Sequence, residues 1–101
     1  MGLLTLSNFF RQFSMKSIHS GPYIHLLELL VDRRNAAGLT QSQVAERLGR
    51  PQSYVSKFER GERRLDVIEF LEVCRKLGTD PFEILRIVEG GFDLAQKSGA
   101  H

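Results

Sequence analysis

One stretch of the chain, residues 39–61, constrains the fold most because it holds both start and stop signals for helices. It reads LTQSQVAERLGRPQSYVSKFERG. Thr40 and Gln43 form a capping-box pattern, in which each side chain accepts a hydrogen bond from a free backbone N–H of the first turn. Gly49 suits the left-handed backbone that ends a helix, and Pro51 is tolerated at the first position of the next one. The spacing predicts two short helices joined by a tight turn.

The contact between these two helices requires small residues. Ala45 and Gly49 fall where two steeply crossed helices touch, and Val55 faces inward from the second helix. A helix pair of this kind leaves the exposed face of its second helix free to enter the major groove of DNA. That face carries side chains that donate or accept hydrogen bonds: Gln52, Ser53, Ser56 and Lys57.

Residues 39–61 closely resemble the helix-turn-helix of the Xre family, which includes the Cro and lambda-type phage repressors. The resemblance is carried by Thr40, Gln41, Ala45, Gly49, Val55, Phe58, Glu59, Arg60 and Gly61. The wider stretch from about Tyr23 to Leu85 is similar to the five-helix domain of that family. The resemblance implies an all-α, five-helix, lambda-repressor-like DNA-binding domain with an N-terminal extension.

Roles follow from position in the motif. Gln52, Ser53, Ser56 and Lys57 are expected to read base edges, since Gln pairs with adenine and Lys suits the acceptors of guanine. A second set is expected to contact phosphates: Gln41, Arg50, Tyr54, Arg60, Arg63 and Arg64. Glu59 is expected to have a structural role, tethering Arg47 or the loop that follows it.

The distribution of charge supports a polyanionic partner. The net charge of the 101 residues is only +2, but residues 41–64 hold six basic and three acidic side chains. Residues 65–101 hold four basic and seven acidic side chains. A cationic middle followed by an anionic end orients the molecule towards double-stranded DNA.

Other chemistry has little support. The single cysteine, Cys74, excludes an internal disulfide and fits the cytoplasm, and we group it with Val67, Ile68 and Leu71 as core. The three histidines lack metal-ligand spacing, no Gly-rich phosphate loop is present, and no apolar run reaches the roughly 18 residues of a membrane span. We therefore expect no catalytic residue, metal, cofactor or membrane contact.

The remaining segments give a domain plan. Residues 1–20 place Leu3, Leu6, Phe10 and Phe13 on one helical face. Three readings stay open for them: a disordered leader, an amphipathic helix that packs on the domain or a partner, or sequence upstream of a natural start at Met15. Residues 21–91 are the predicted DNA-binding domain, and residues 92–101 are a predicted flexible tail.

The fourth and fifth helices complete the predicted domain. Asp66 and Glu69 form a second capping box that opens helix 4. Helix 5 is expected to run from Pro81 to Val88, before the glycines at 90 and 91. Its apolar side chains exceed what one core needs, which indicates a homodimer contact; the alternative is that residues 1–20 cover them.

These observations predict a sequence-specific transcriptional regulator that binds a near-palindromic operator as a homodimer. The contact between subunits would use helix 5, and the N-terminal segment is a candidate for an additional part of it. The alternative is a helical protein-interaction module, an antitoxin or a co-regulator, with weak DNA binding or none.

Overall fold

The computed structural model describes residues 20–99, with side chains described as far as Gly91. Over this range the chain forms five α-helices and no strand, which confirms the all-α prediction. The helices are α1 Gly21–Ala36, α2 Gln41–Leu48, α3 Gln52–Glu59, α4 Val67–Leu77 and α5 Pro81–Gly99. The predicted extension, residues 1–20, lies outside the described residues apart from Ser20, as do residues 100 and 101.

Both predicted capping boxes are present. Thr40 Oγ1 accepts from the backbone N–H of Gln43 at 3.1 Å, and Gln43 Oε1 accepts from the N–H of Thr40 at 2.9 Å. Asp66 and Glu69 make the same reciprocal pair at 2.7 and 3.0 Å. Because each box satisfies backbone donors that the first turn leaves free, the local sequence determines where α2 and α4 begin.

The turn between α2 and α3 depends on a glycine, as predicted. Gly49 has φ 69°, in the left-handed region, and its N–H donates to the carbonyls of the last turn of α2. Gly78 ends α4 in the same way, with φ 74°. Side chains other than glycine are strained at this φ, so these positions favour glycine for conformational reasons.

α5 is longer than predicted. We expected it to end at Val88, and this was wrong, because the helix continues through Gly90 and Gly91 to Gly99. Neither Gly90 nor Gly91 adopts a positive φ. Each glycine in a helix interior costs about 1 kcal/mol relative to alanine, so another interaction must keep the helix intact.

That interaction is the packing of α5 against α1. The two helices run antiparallel: Arg33, near the end of α1, pairs with Glu83 in the first turn of α5 at 3.3 Å. Arg33 also donates to Thr79 Oγ1 at 3.1 Å. Near the start of α1, a Cβ atom built on Gly91 would lie 3.8 Å from Nδ1 of His25. Packing against α1 therefore keeps α5 helical through the two glycines, which the local sequence alone indicated as the end of the helix.

The core draws apolar side chains from all five helices. The largest fully buried ones are Leu27, Leu30, Val44, Val55, Phe58, Val73, Cys74 and Ile84. The predicted inward positions Ala45, Val55 and Phe58 are all buried. Val67 and Ile68, which we grouped with Cys74 as core, are instead exposed. The grouping was wrong for these two residues because the buried side of α4 begins only at Phe70, whereas Leu71 does pack against the core.

Candidate nucleic-acid interface

α2 and α3 form the tight helix pair that the sequence predicts. Ala45 and Val55 are both buried at the centre of the pair, and the turn at Gly49 brings the end of α2 to the start of α3. Pro51 is the N-cap of α3 rather than its first helical residue, with extended backbone and no side-chain cap. Its contribution is therefore to fix the entry angle of the chain.

α3 has one buried side and one open side. Its buried residues are Tyr54, Val55, Phe58 and Glu59. On the other side Gln52, Ser53 and Lys57 are exposed, and Ser56 is half-buried with its hydroxyl 3.4 Å from the carbonyl of Ser53. Within the described part of the chain, all four predicted base-reading residues thus reach solvent on a single face of a firmly packed helix.

A chain of hydrogen bonds joins this face to the interior. Nε2 of Gln52 donates to Oε1 of Gln41 at 3.2 Å, and Nε2 of Gln41 donates to Oε1 of Glu59 at 2.8 Å. The carboxylate fixes which end of the Gln41 amide accepts, and Gln41 in turn orients Gln52. A predicted phosphate contact and a predicted base contact are therefore coupled before any DNA is bound.

Glu59 has the predicted structural role but not the predicted partner. It forms a bidentate pair with Arg34, with Nε to Oε2 at 2.7 Å and NH2 to Oε1 at 3.1 Å. Arg34 also donates to the carbonyl of Leu39 at 2.9 Å. The expected tether to Arg47 was wrong, because α3 turns Glu59 towards α1, whereas Arg47 donates to the carbonyl of Lys76 on α4 at 3.0 Å.

Tyr54 lies at the centre of a charged cluster. The residue is 8% exposed, and the guanidinium carbons of Arg50 and Arg63 lie 4.5 and 4.7 Å from the centroid of its ring. Contacts of this kind are attractive because the face of the ring is electronegative. Burial raises the pKa of the Tyr54 hydroxyl, so it stays neutral at pH 7. We predicted Tyr54 as a phosphate contact; the structure places its ring beneath two other predicted contacts.

Two carboxylates of α4 complete that cluster. Glu69 accepts both NH groups of Arg63, at 3.1 and 2.8 Å, and this pairing lowers the pKa of Glu69 to about 2. Glu72 lies 3.7 Å from Arg50. Neither carboxylate was among the predicted site residues. Their spacing of three residues places them on one side of α4. That spacing could have identified them as partners of Arg50 and Arg63 only if the sequence had also shown that this side of α4 faces the two arginines.

The other two predicted arginines lie in and beside the loop after α3. Arg60 is exposed and pairs with Glu62 at 3.1 Å. The guanidinium of Arg64 lies 4.4 Å from the centroid of the Tyr23 ring, and the Tyr23 hydroxyl accepts from the N–H of Leu65 at 3.1 Å. Tyr23 was not predicted as part of this surface; it connects the start of α1 to the basic loop.

Catalytic and metal chemistry find no support in the described residues. Burial raises the pKa of the Cys74 thiol to about 11, so the thiolate that a nucleophile requires is scarce at pH 7. Residues 20–99 contain no cluster of three or more His, Cys, Asp or Glu side chains placed to hold a metal ion. Over the same range, no helix is long and apolar enough to cross a membrane.

A five-helix fold with a tight helix pair and a polar outer face on the second helix defines the class of helix-turn-helix DNA-binding domains. The chain belongs to the helix-turn-helix family, whose model matches residues 30–84, and within it to the XRE-family regulators. It is similar to the solved structure of an XRE-family like protein from Pseudomonas syringae pv. tomato. The two share 56% identity with a TM-score of 0.69, over 76% of this chain and 94% of that one.

A second relative supports the same family assignment. Over 52 residues the chain is 40% identical to y4dJ, an uncharacterized HTH-type transcriptional regulator of Sinorhizobium fredii. The match spans 52% of this chain and 68% of the relative. The predicted family is confirmed, and the chain is a DNA-binding transcriptional regulator of that family, a class that acts by binding rather than by catalysis.

Proposed function

We propose that this regulator recognises its operator by inserting α3 into the major groove. Gln52, Ser53, Ser56 and Lys57 would read the base edges, because their side chains share the open face of a helix whose opposite side is buried. The observation that carries the proposal is this combination of rigid support and a solvent-open polar face. Occupancy of the operator would then block or recruit the polymerase.

The phosphate backbone would be held on both sides of α3. Gln41, already fixed by Glu59, lies at the start of α2, where free backbone N–H groups also favour phosphate. Arg60 and Arg64 lie beyond the other end of α3, and Arg60 is exposed. Arg50 and Arg63 flank the helix, and Tyr54 lies on the helix beneath them. The net charge of +3 over residues 41–64 supplies the attraction that does not depend on sequence.

We further propose that the protein binds as a homodimer through α5. The apolar side chains Phe82 and Leu85 are exposed and lie three residues apart on one side of this helix, and exposed apolar groups that lie close together mark interfaces. A two-fold dimer would place two copies of α3 about 34 Å apart on a near-palindromic operator. Sedimentation equilibrium tests this: Phe82→Glu should shift the dimer towards monomer, and an unchanged association constant would exclude α5 as the contact.

The same exposed side chains favour a second candidate, a helical interaction module that docks another protein and binds DNA weakly. Salt dependence separates the two. With DNA from upstream of the gene of this protein, a regulator loses affinity steeply as salt rises, since phosphate contacts release counterions. Binding that is absent, or that is insensitive to salt, would favour the interaction module.

The direct test compares two variants on that DNA. Lys57→Ala should weaken operator binding by about 1–3 kcal/mol and relax discrimination at one or two base pairs. Arg60→Ala should weaken binding to all sequences alike and reduce the salt slope by about 1. Arg75→Ala, which removes an exposed arginine in the last turn of α4, is the charge-matched control. Unchanged operator preference in Lys57→Ala would contradict its base-reading role.

A further inference from the structure

The DNA-reading face of α3 has two edges, and different residues mark each of them. At about 100° per residue, Gln52 and Glu59 lie within about 20° of each other on one edge, beside Gln41. Tyr54 lies about 140° from Glu59 and only about 60° from Lys57, so it marks the opposite edge of the DNA-reading face. A helix in the major groove has phosphates on both sides. With α3 in the groove as proposed, the cluster around Tyr54 would therefore lie next to the second row of phosphates.

The two arginines of that cluster are held with different strength. Arg63 is fixed: Glu69 binds it through two hydrogen bonds and is itself committed to the capping box of α4. Arg50 is held loosely, since its distance of 3.7 Å from Glu72 exceeds hydrogen-bond length. The side chains of Arg50 and Glu72 are also exposed to solvent, at 37% and 47%. Exposed pairs contribute little, so Arg50 is the one that can change partner.

We propose that Glu72 is a positioning residue that limits the affinity for DNA by competing with phosphate for Arg50. In the free protein the guanidinium lies over the Tyr54 ring and 3.7 Å from Glu72. On binding, Arg50 turns from Glu72 to a phosphate, and the carboxylate left behind faces the DNA backbone. This inference rests on the proposed function, because it needs α3 in the groove.

The reason for the competition is chemical. A carboxylate and a phosphate offer the same kind of oxygen edge to a guanidinium, so Arg50 cannot satisfy both fully. The uncompensated charge of Glu72 then repels the DNA over a screening distance of about 8 Å at physiological salt. Glu72 thereby offsets part of the attraction of the basic region. It gives weak binding to arbitrary DNA and leaves discrimination to the base-reading residues.

The test measures the affinity of Glu72→Gln for DNA as a function of salt, on the operator fragment and on a scrambled one. We expect binding about two- to fivefold tighter on both fragments at low salt, and a salt slope steeper by up to about 1. Asp32→Asn is the control. It makes the same change in net charge at an exposed position on α1, about 140° from the buried Leu27, and should leave affinity and slope unchanged.

A double variant shows whether the effect passes through Arg50. In an Arg50→Ala background, Glu72→Gln should no longer tighten binding. The inference is overturned if Glu72→Gln weakens or does not change binding, if Asp32→Asn tightens it equally, or if the gain persists without Arg50. Absence of salt-dependent binding in the wild-type protein would overturn the proposed function as well, so the two failures are distinguishable.

Discussion

The buried pair between α1 and α3 gives the sharpest prediction about stability. Glu59 accepts three hydrogen bonds, two from Arg34 and one from Gln41. The side chains of Arg34 and Glu59 are only 13% and 7% exposed. In Glu59→Gln the guanidinium of Arg34 keeps its place in the interior but loses the charge that compensates it.

The expected cost follows from that burial. Removing one partner of a buried pair costs about 3–5 kcal/mol, because the remaining charge stays desolvated. A domain of this size has a total stability of about 4–12 kcal/mol, so Glu59→Gln should remove about a quarter of it or more. The midpoint of thermal unfolding should fall by at least about 12 °C.

Urea unfolding at pH 7, followed by far-ultraviolet circular dichroism, measures this cost. The matched control is Glu83→Gln, which breaks the exposed pair with Arg33 and should cost less than about 1 kcal/mol. The double variant Arg34→Met/Glu59→Leu should recover most of the loss, since apolar replacement of a buried pair is often neutral. If Glu59→Gln cost no more than Glu83→Gln, the pair would not support the fold as argued.

Two further predictions concern local structure. Gly90→Ala should raise the free energy of unfolding by about 0.5–1 kcal/mol, because Gly90 lies inside α5 with nothing within 4 Å of an added Cβ; a lower thermal midpoint would contradict a continuous α5. The pKa of Glu69 is lowered to about 2 in the folded state, so its contribution is complete above its ordinary pKa of 4.5 and is lost as the pH falls towards 2. The stability difference between wild type and Glu69→Gln, from urea unfolding at pH 6 and pH 3, should shrink at the lower pH, and a constant difference would exclude this linkage.

The parts of the fold that sequence predicted are those set by neighbouring residues. The capping box of Thr40 and Gln43 acts within one turn of helix, and the left-handed stop at Gly49 acts on a single residue. The inward positions Ala45 and Val55 follow from helical spacing. Such signals need no knowledge of the rest of the chain, which is why α2, α3 and the turn between them were predicted.

Two of the errors, and the contacts that sequence reasoning missed, arise where distant parts of the chain meet. The partner of Glu59 depends on how α1 lies across α3, and Arg34 is 25 residues away in sequence. The glycines at 90 and 91 would stop an isolated helix, but α5 packs along α1. The burial of Tyr54 and its contacts with Arg50 and Arg63 likewise depend on where α4 lies. Each of these features depends on tertiary packing, which the periodicity of the sequence alone does not predict.

The central claim is that the open face of α3 enters the major groove, and chemical footprinting tests it directly. Dimethyl sulfate methylates guanine at N7 in the major groove and adenine at N3 in the minor groove, so it reports which groove is covered. On the bound operator the account predicts protection of guanine N7 in two patches about one helical turn apart, with adenine N3 open. Protection of adenine N3 with guanine N7 still reactive would contradict it.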